Sequence, residues 1–557
     1  MTQALPTHRV KRKPLTVPFL GALAALWLIC LPLYSVDLPL VGIRHPAAAL
    51  SLLTLSLVLG FAGLEVWRQH TWRVTHLTWA LVAATLCASV PYLYPQAATL
   101  NSGYAIAALV LSFGFFSSLQ QFIFNHAQRQ KLLAILMLAS WLAILSVLGN
   151  QSPPGIAPFK FEHWVPHLPS AVTHALLLTG LSLAAYLLAR EPSNRYRHPI
   201  TQSVLVFTPV VILPVLAMQG RPLLLLFALC AIALQQVYLS RFATRRQHLA
   251  WLAAMSAGAL LAVFGLTGQE SWQWLTPQDK RVLWLAWQQF QQTPFFGVGM
   301  GHGQTTLLLA SAAHPGHTGP VKLPSALALW LLEGGLVIAL AYLAVILPLA
   351  LRIIRAPSGT RRMLVALVLP PLTGLLIYPA SGTQWFNGIL LLMWLYWLDN
   401  LTSKYQRITF STAEYGQRIA TRSIVTVMIL VGLLCLSSVY LANRYLRDSL
   451  LTSQRIALYQ QHPWWQSKLT QGLAEQHFQH TLETLSDAER HQHLNLWLQH
   501  VAQHPTFAGY QHAYQIALQI GDTQRARDIQ QEARYLFPQA AKVWTTRHTL
   551  PMRTPPE

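Results

Sequence analysis

The side chains best suited to chemistry on a polar ligand gather in residues 280–303, between two apolar runs. Lys280-Arg281-Val282-Leu283-Trp284-Leu285-Ala286-Trp287-Gln288-Gln289-Phe290 sets two cations beside two tryptophans. Pro294-Phe295-Phe296-Gly297-Val298-Gly299-Met300-Gly301-His302-Gly303 follows directly. Arginine is a planar, permanently charged donor that suits phosphate or carboxylate. Glycine at every second position from 297 to 303 lets the backbone come close to a ligand. His302, His314 and His317 add ionisable groups in a loop that holds few acids, Glu270 and Asp279. The same residues also fit a plainer arrangement, an interfacial helix followed by a flexible return loop. The spacing leaves both open.

A second cation stands apart, Arg221 in Gln219-Gly220-Arg221-Pro222. A charge at bilayer depth costs about 2.5–3.5 kcal/mol on insertion scales, so Arg221 either meets an anion or snorkels to the interface. Elements must position these groups. Thr276-Pro277-Gln278-Asp279 reads as a helix start, with a capping hydroxyl, a first-turn proline and an acid at the positive end. Val282, Leu283, Ala286 and Phe290 then share one face, and Trp284 and Trp287 suit a membrane interface. Pro294 stops that helix.

The chain around this stretch is a membrane protein. Of its 557 residues 53% are hydrophobic and only 10% charged, in repeated apolar runs of membrane-spanning length. We expect an all-α, polytopic fold of 12–13 transmembrane helices, near residues 16–35, 46–66, 77–95, 103–124, 131–149, 170–189, 201–219, 222–240, 247–267, 325–351, 363–380, 384–400 and 422–442. That divides the chain into N-terminal spans (1–267), a large external loop (268–324), C-terminal spans (325–442) and a polar helical tail (443–557). In the tail a helix pair joined at Gly521-Asp522 resembles one tetratricopeptide unit. Glu65, near the end of the second span, fits a functional acid but reads better as a snorkelling interface acid.

Charge sets the expected orientation. The N-terminus and the even-numbered connections carry roughly 22 basic residues, Arg68, Arg73, Arg129, Arg352 and Arg407 among them, against about six in the opposite loops. The N-terminus is therefore expected in the cytoplasm, and the large loop and tail outside it. The same asymmetry explains the net charge of +21 as a membrane-facing rim, so it is not an argument for nucleic acid. Cys30, Cys87, Cys230 and Cys435 all fall in spans and suggest neither a disulfide framework nor a metal site.

Together these motifs carry a resemblance. Arg281-x-x-Trp284-x-Ala286-Trp287 followed by Pro294-Phe295-Phe296-Gly297-Val298-Gly299-Met300-Gly301 is similar to the signature of the bacterial O-antigen ligase, polymerase and protein O-oligosaccharyltransferase superfamily. Glu333-Gly334-Gly335 resembles its Glu-x-Gly, and Gln219-Gly220-Arg221 its earlier Ser-Arg. The helical tail resembles the protein-glycosylating (PglL-like) branch.

The resemblance implies an inner-membrane enzyme that moves a glycan from undecaprenyl pyrophosphate to a hydroxyl of a periplasmic protein, with a pilin as one candidate acceptor. Membrane lipid is the other expected partner; nucleotide sugar, cofactor and metal are not required. Arg221 and Arg281 would steady the departing pyrophosphate. Gly299, Gly301, His302, Glu333 and Tyr378 would line the substrate site. An acceptor hydroxyl needs a base, usually histidine. The chain departs from the pattern here: the expected His-Asn register falls on Pro324 and Ser325, the expected acid before Tyr378 is Ile377, and only Pro169 survives of the branch's Gln-Pro-Asn-His. His317, then His314, are the candidate bases, with His302 third. An O-antigen ligase or polymerase would differ only in acceptor, and a non-catalytic assembly factor would need no base.

Overall fold

The computed structural model describes residues 15–31, 45–94, 99–151, 170–189, 199–218, 243–266, 277–314, 323–356, 384–410, 414–447 and 505–540, with scattered residues between them. The chain is all-α with one small ribbon. Its helices are α1 (Thr16–Ala25, continuing through a π-helical Leu26–Cys30), α2 (His45–Gln69), α3 (His76–Ser89, with a 3-10 extension Val90–Leu93), α4 (Thr99–Gln121) and α5 (His126–Gln151). There follow α6 (Ser170–Ala189), α7 (Pro199–Met218), α8 (Arg245–Leu266), α9 (Pro277–Gln292), α10 (Gly303–Ala312), α11 (Ala326–Arg355), α12 (Gln384–Thr402) and α13 (Glu414–Arg447). The tail supplies α14 (Phe507–Ile520) and α15 (Thr523–Leu536). Among the described residues four segments are long and apolar enough to cross a membrane, Leu50–Gln69, His76–Leu93, His126–Leu148 and Ala326–Arg355. Shorter apolar helices include Thr16–Cys30, Val172–Leu188 and Ile419–Leu434. The expected spans at 222–240 and 363–380 fall mostly outside the described residues.

Aromatic side chains fill the interior of the bundle. Phe19, Trp27, Phe115, Phe116, Trp251, Phe386 and Trp394 are completely or almost completely buried, and the Trp27 indole N–H points at the Met393 sulfur 3.0 Å away. Leu260, Val263, Ile346, Leu347, Leu430 and Leu433 instead face outward, as helices apolar on every side do in lipid. Small residues let helices touch where no hydrophobic force between them exists. A β-carbon at Gly258 would come within 2.5 Å of the Pro209 carbonyl oxygen, and one at Gly180 within 2.7 Å of the Ser140 side chain.

Two buried carboxylates, Asp399 and Glu65, are engaged by protein donors, as low-dielectric surroundings demand. Asp399 on α12 is fully buried and forms an ion pair with Arg352 near the end of α11. It also accepts hydrogen bonds from Ser403 at 2.8 Å, Thr75 at 2.9 Å and Gln120 at 2.9 Å. Thr75 doubles as the N-cap of α3 and shares a capping box with Thr78. This knot joins α3, α4, α11 and α12. Glu65 corrects the sequence reading. It is only 3% exposed and accepts from the Leu15 N–H at 3.3 Å and from Gln69, so it ties α2 to the start of α1 and does not snorkel.

Beside the knot lies the ribbon. β1 (Thr71–Val74) pairs antiparallel with β2 (Gln406–Thr409), Thr71 opposite Thr409 and Val74 opposite Gln406. The opposite end of the bundle is marked by Tyr94, just past α3, whose ring meets Phe296 edge-on at 5.1 Å. From Thr75 to Tyr94, α3 rises about 28 Å, close to one hydrocarbon thickness. The tail pair caps itself with Thr506, a left-handed Gly521 (φ 82°) and Asp522, and its apolar faces close around Tyr510, Ile516, Ile529 and Leu536. Leu308 of α10 is buried in that same cluster, so the tail packs on α10.

Candidate active site

The glycine-rich stretch is a rigid turn that repairs a broken helix. Inside α11 Gly335 takes φ 61° and ψ −148°, a conformation essentially reserved for glycine. The break frees the carbonyls of Leu332 and Glu333 and the N–H of Leu336 from their helical partners. In a membrane such groups must be satisfied by protein. The turn after α9 supplies all three partners. The Val298 N–H donates to the Leu332 carbonyl at 3.0 Å, the Gly299 N–H donates to the Glu333 carbonyl at 3.1 Å, and the Pro294 carbonyl accepts from the Leu336 N–H at 2.9 Å.

This docking requires absent side chains on both partners. Gly297, Gly299 and Gly301 have φ of 70°, 97° and 85°. A β-carbon at Gly297 would collide with the Glu333 carbonyl group, and one at Gly335 would lie 2.5 Å from the Phe295 oxygen and 2.7 Å from the Gly297 nitrogen. The Glu333 carboxyl then accepts from the Gly303 N–H at 3.2 Å, where the first turn of α10 begins. A carboxylate suits a helix N-terminus. Glu333 is only 8% exposed, so it is a keystone of the turn. Expected as a substrate-site residue, it is found bonded to the backbone of the very loop it was expected to serve.

The helix face read from the sequence is confirmed with one addition. Val282 and Ala286 are buried, Leu283 and Phe290 pack beside them, and Leu285, not singled out by spacing, is also buried. They close on Leu307, Leu323, Leu329 and Leu332. Trp284 and Trp287 stand about half exposed, as do Phe295 and Phe296 further along the chain. Arg281 lies one turn before Trp284, half-buried on the same helix. His314, just past α10, is brought to this helix: its ring meets Trp284 edge-on at 6.0 Å, and its Nδ1 lies 3.0 Å from the Ala310 carbonyl. His302 caps α10, and its own carbonyl accepts from the Thr306 hydroxyl at 2.9 Å.

The structure thus joins Gly299, Gly301, His302 and Glu333 in one unit and sets Arg281 and His314 on its flank. Arg221, His317 and Tyr378 lie outside the described residues. The register where His-Asn was expected has a structural occupation. Ser325 caps α11, its hydroxyl accepting from the Ala328 N–H at 3.3 Å, and Pro324 leads into it. His174, one helical turn past the missing Gln-Pro-Asn-His, is buried in α6 at 1% exposure.

No curated protein matches the chain. Residues 384–550, running from α12 through the tail, match the family described as virulence factor membrane-bound polymerase, C-terminal. The match takes in the α12 helix that carries Asp399 and the tail that packs on α10. With the glycine turn and Glu-Gly-Gly break interlocked in the preceding half, the family match supports the O-antigen ligase and polymerase superfamily, membrane proteins that handle glycans.

Proposed function

We propose that the protein transfers a glycan from an undecaprenyl-pyrophosphate-linked donor to the hydroxyl of a periplasmic acceptor protein. The observation that carries this reading is the glycine turn held rigidly against the α11 break, with Arg281 on the helix that feeds it. A preorganised cation costs no rearrangement when charge develops on a departing pyrophosphate. In the step we envisage, the acceptor oxygen attacks the anomeric carbon, the bond to pyrophosphate breaks, and the hydroxyl proton passes to a histidine. Arg281 and Arg221 hold the leaving group. His317 or His314 takes the proton, and His314 already lies against the Arg281 helix. The turn, loop and tail face the periplasm in this reading, and the ribbon end faces the cytoplasm.

The family description favours a second acceptor, another glycan, as in a polymerase or ligase of the same superfamily. The experiment is transfer by the purified protein from a lipid-linked oligosaccharide, offered in parallel to periplasmic proteins, lipid A core and donor alone. Glycosylated protein in the mass spectrum supports the first reading. Lengthened glycan on lipid supports the second. No product with any acceptor would leave an assembly factor as the better account.

A further inference from the structure

At the end of the bundle opposite the glycine turn, cations outnumber their partners. Arg73 and Arg407 stand directly opposite each other across the β1–β2 ribbon, and like charges in that relation repel. Arg73 is 8% exposed, and its Nε is buried without a hydrogen-bond partner among the described residues. Both of its backbone groups are already engaged by the Gln121 amide, which fixes the strand and so fixes where the guanidinium sits. Burial, and then the Arg407 cation, push the Arg73 guanidinium below its ordinary value. Two residues before Arg407 and just ahead of β2, the Tyr405 hydroxyl is also buried with no hydrogen-bond partner among the described residues. The buried acids described at this end are already engaged, Asp399 by Arg352, Ser403, Thr75 and Gln120 and Glu65 by the Leu15 N–H and Gln69. A buried guanidinium N–H left without an acceptor, beside an exposed second cation and an unsatisfied hydroxyl, makes an anion site.

We propose that the Arg73–Arg407 face of the ribbon, with the Tyr405 hydroxyl, binds a phosphate-bearing anion on the membrane side opposite the candidate active site. An arginine fork matches a phosphate in geometry as well as charge. The place fits such a group. Glu333 and Arg352 are 19 residues apart on α11, about 28 Å of helix, so the ribbon lies at headgroup depth of the far leaflet. Two sources of the chemistry are an anionic phospholipid headgroup and a free phosphate compound. A bound phosphate would also remove the Arg73–Arg407 repulsion, so ribbon stability and occupancy are linked.

The test uses the purified full-length protein in four states: nanodiscs of phosphatidylcholine with or without phosphatidylglycerol, and detergent with or without inorganic phosphate. Arg407→Gln, on the exposed strand, is the first variant and Arg73→Gln the second. Arg422→Gln, an exposed cation on α13, matches their change in net charge. We expect native mass spectrometry to show retained phosphatidylglycerol, or retained phosphate, on the wild type and on Arg422→Gln. Retention should fall tenfold or more in Arg407→Gln and Arg73→Gln. In phosphatidylcholine alone, Arg407→Gln should melt no lower than the wild type, because it removes a repulsion; a merely structural arginine would melt lower. Equal retention in all four proteins, equal loss in Arg422→Gln, or no retention of either anion would overturn the proposal.

Discussion

Gly335→Ala tests the idea that the glycine turn and the α11 break are one structure. Alanine at φ 61° and ψ −148° sits where L-residues are almost absent, at a strain of about 1–3 kcal/mol. The new methyl would also lie 2.5 Å from the Phe295 oxygen and 2.7 Å from the Gly297 nitrogen, so the turn must move. Moving it weakens the Val298–Leu332, Gly299–Glu333 and Leu336–Pro294 hydrogen bonds, each worth about 0.5–1.5 kcal/mol. Strain and lost bonds together give roughly 2.5–7.5 kcal/mol of local destabilisation. By the relation of about 1.4 kcal/mol per tenfold, amide exchange at Val298, Gly299 and Leu336 should accelerate by about 60-fold or more. Gly388→Ala is the control. Nothing lies within 4 Å of its β-carbon position, and it sits in α12, where alanine is favoured over glycine by up to about 1 kcal/mol. Exchange in Gly335→Ala that matches the wild type would refute the interlocked turn, whatever the effect on activity.

The other expectations concern chemistry and sidedness. Arg281→Ala and Arg221→Ala should each reduce glycan transfer strongly without loss of membrane insertion, and lysine should rescue poorly because it lacks the guanidinium fork; full in vitro transfer by both alanine variants would remove the pyrophosphate-clamp assignment. Among His302→Ala, His314→Ala and His317→Ala, one loss should lower turnover by about a hundredfold at saturating donor and acceptor. Normal transfer by the triple variant would place the base elsewhere. Alkaline phosphatase fused after His317 and at the C-terminus should be active, and inactive fusions would reverse the assigned orientation.

Periodicity made the buried stripe of α9 legible, because Val282 and Ala286 recur at helical spacing and the tryptophans fall off the stripe. The start of α9 was legible too, from the proline at 277. What could not be read was pairing over distance. The Glu333-Gly334-Gly335 and 297–303 glycines form separate motifs in the chain, and their union is made by backbone groups that leave no side-chain pattern. The ribbon escaped for a related reason: four-residue strands in basic connections have no room for alternation. Glu65 was misread because its partner, the Leu15 N–H, lies 50 residues away. Asp399 and Arg352 likewise meet only in the folded bundle. At Ser325 the chain keeps a cap where the family resemblance led us to seek a base, and capping is a role that serine fills well.

One helix of ten residues has two masters. Leu307 of α10 is locked into the cluster beneath the glycine turn, while its neighbour Leu308 is locked into the core of the tail. The helix begins at Gly303, whose N–H holds the Glu333 carboxyl. Thrust applied to the tail therefore has two outlets: it tears Leu308 from its cluster, or it drives α10 along and pulls on the bond to Glu333. Packed side chains do not compress to absorb it. Whatever large molecule leans on the tail is mechanically in touch with the turn, through a strut too short to bend.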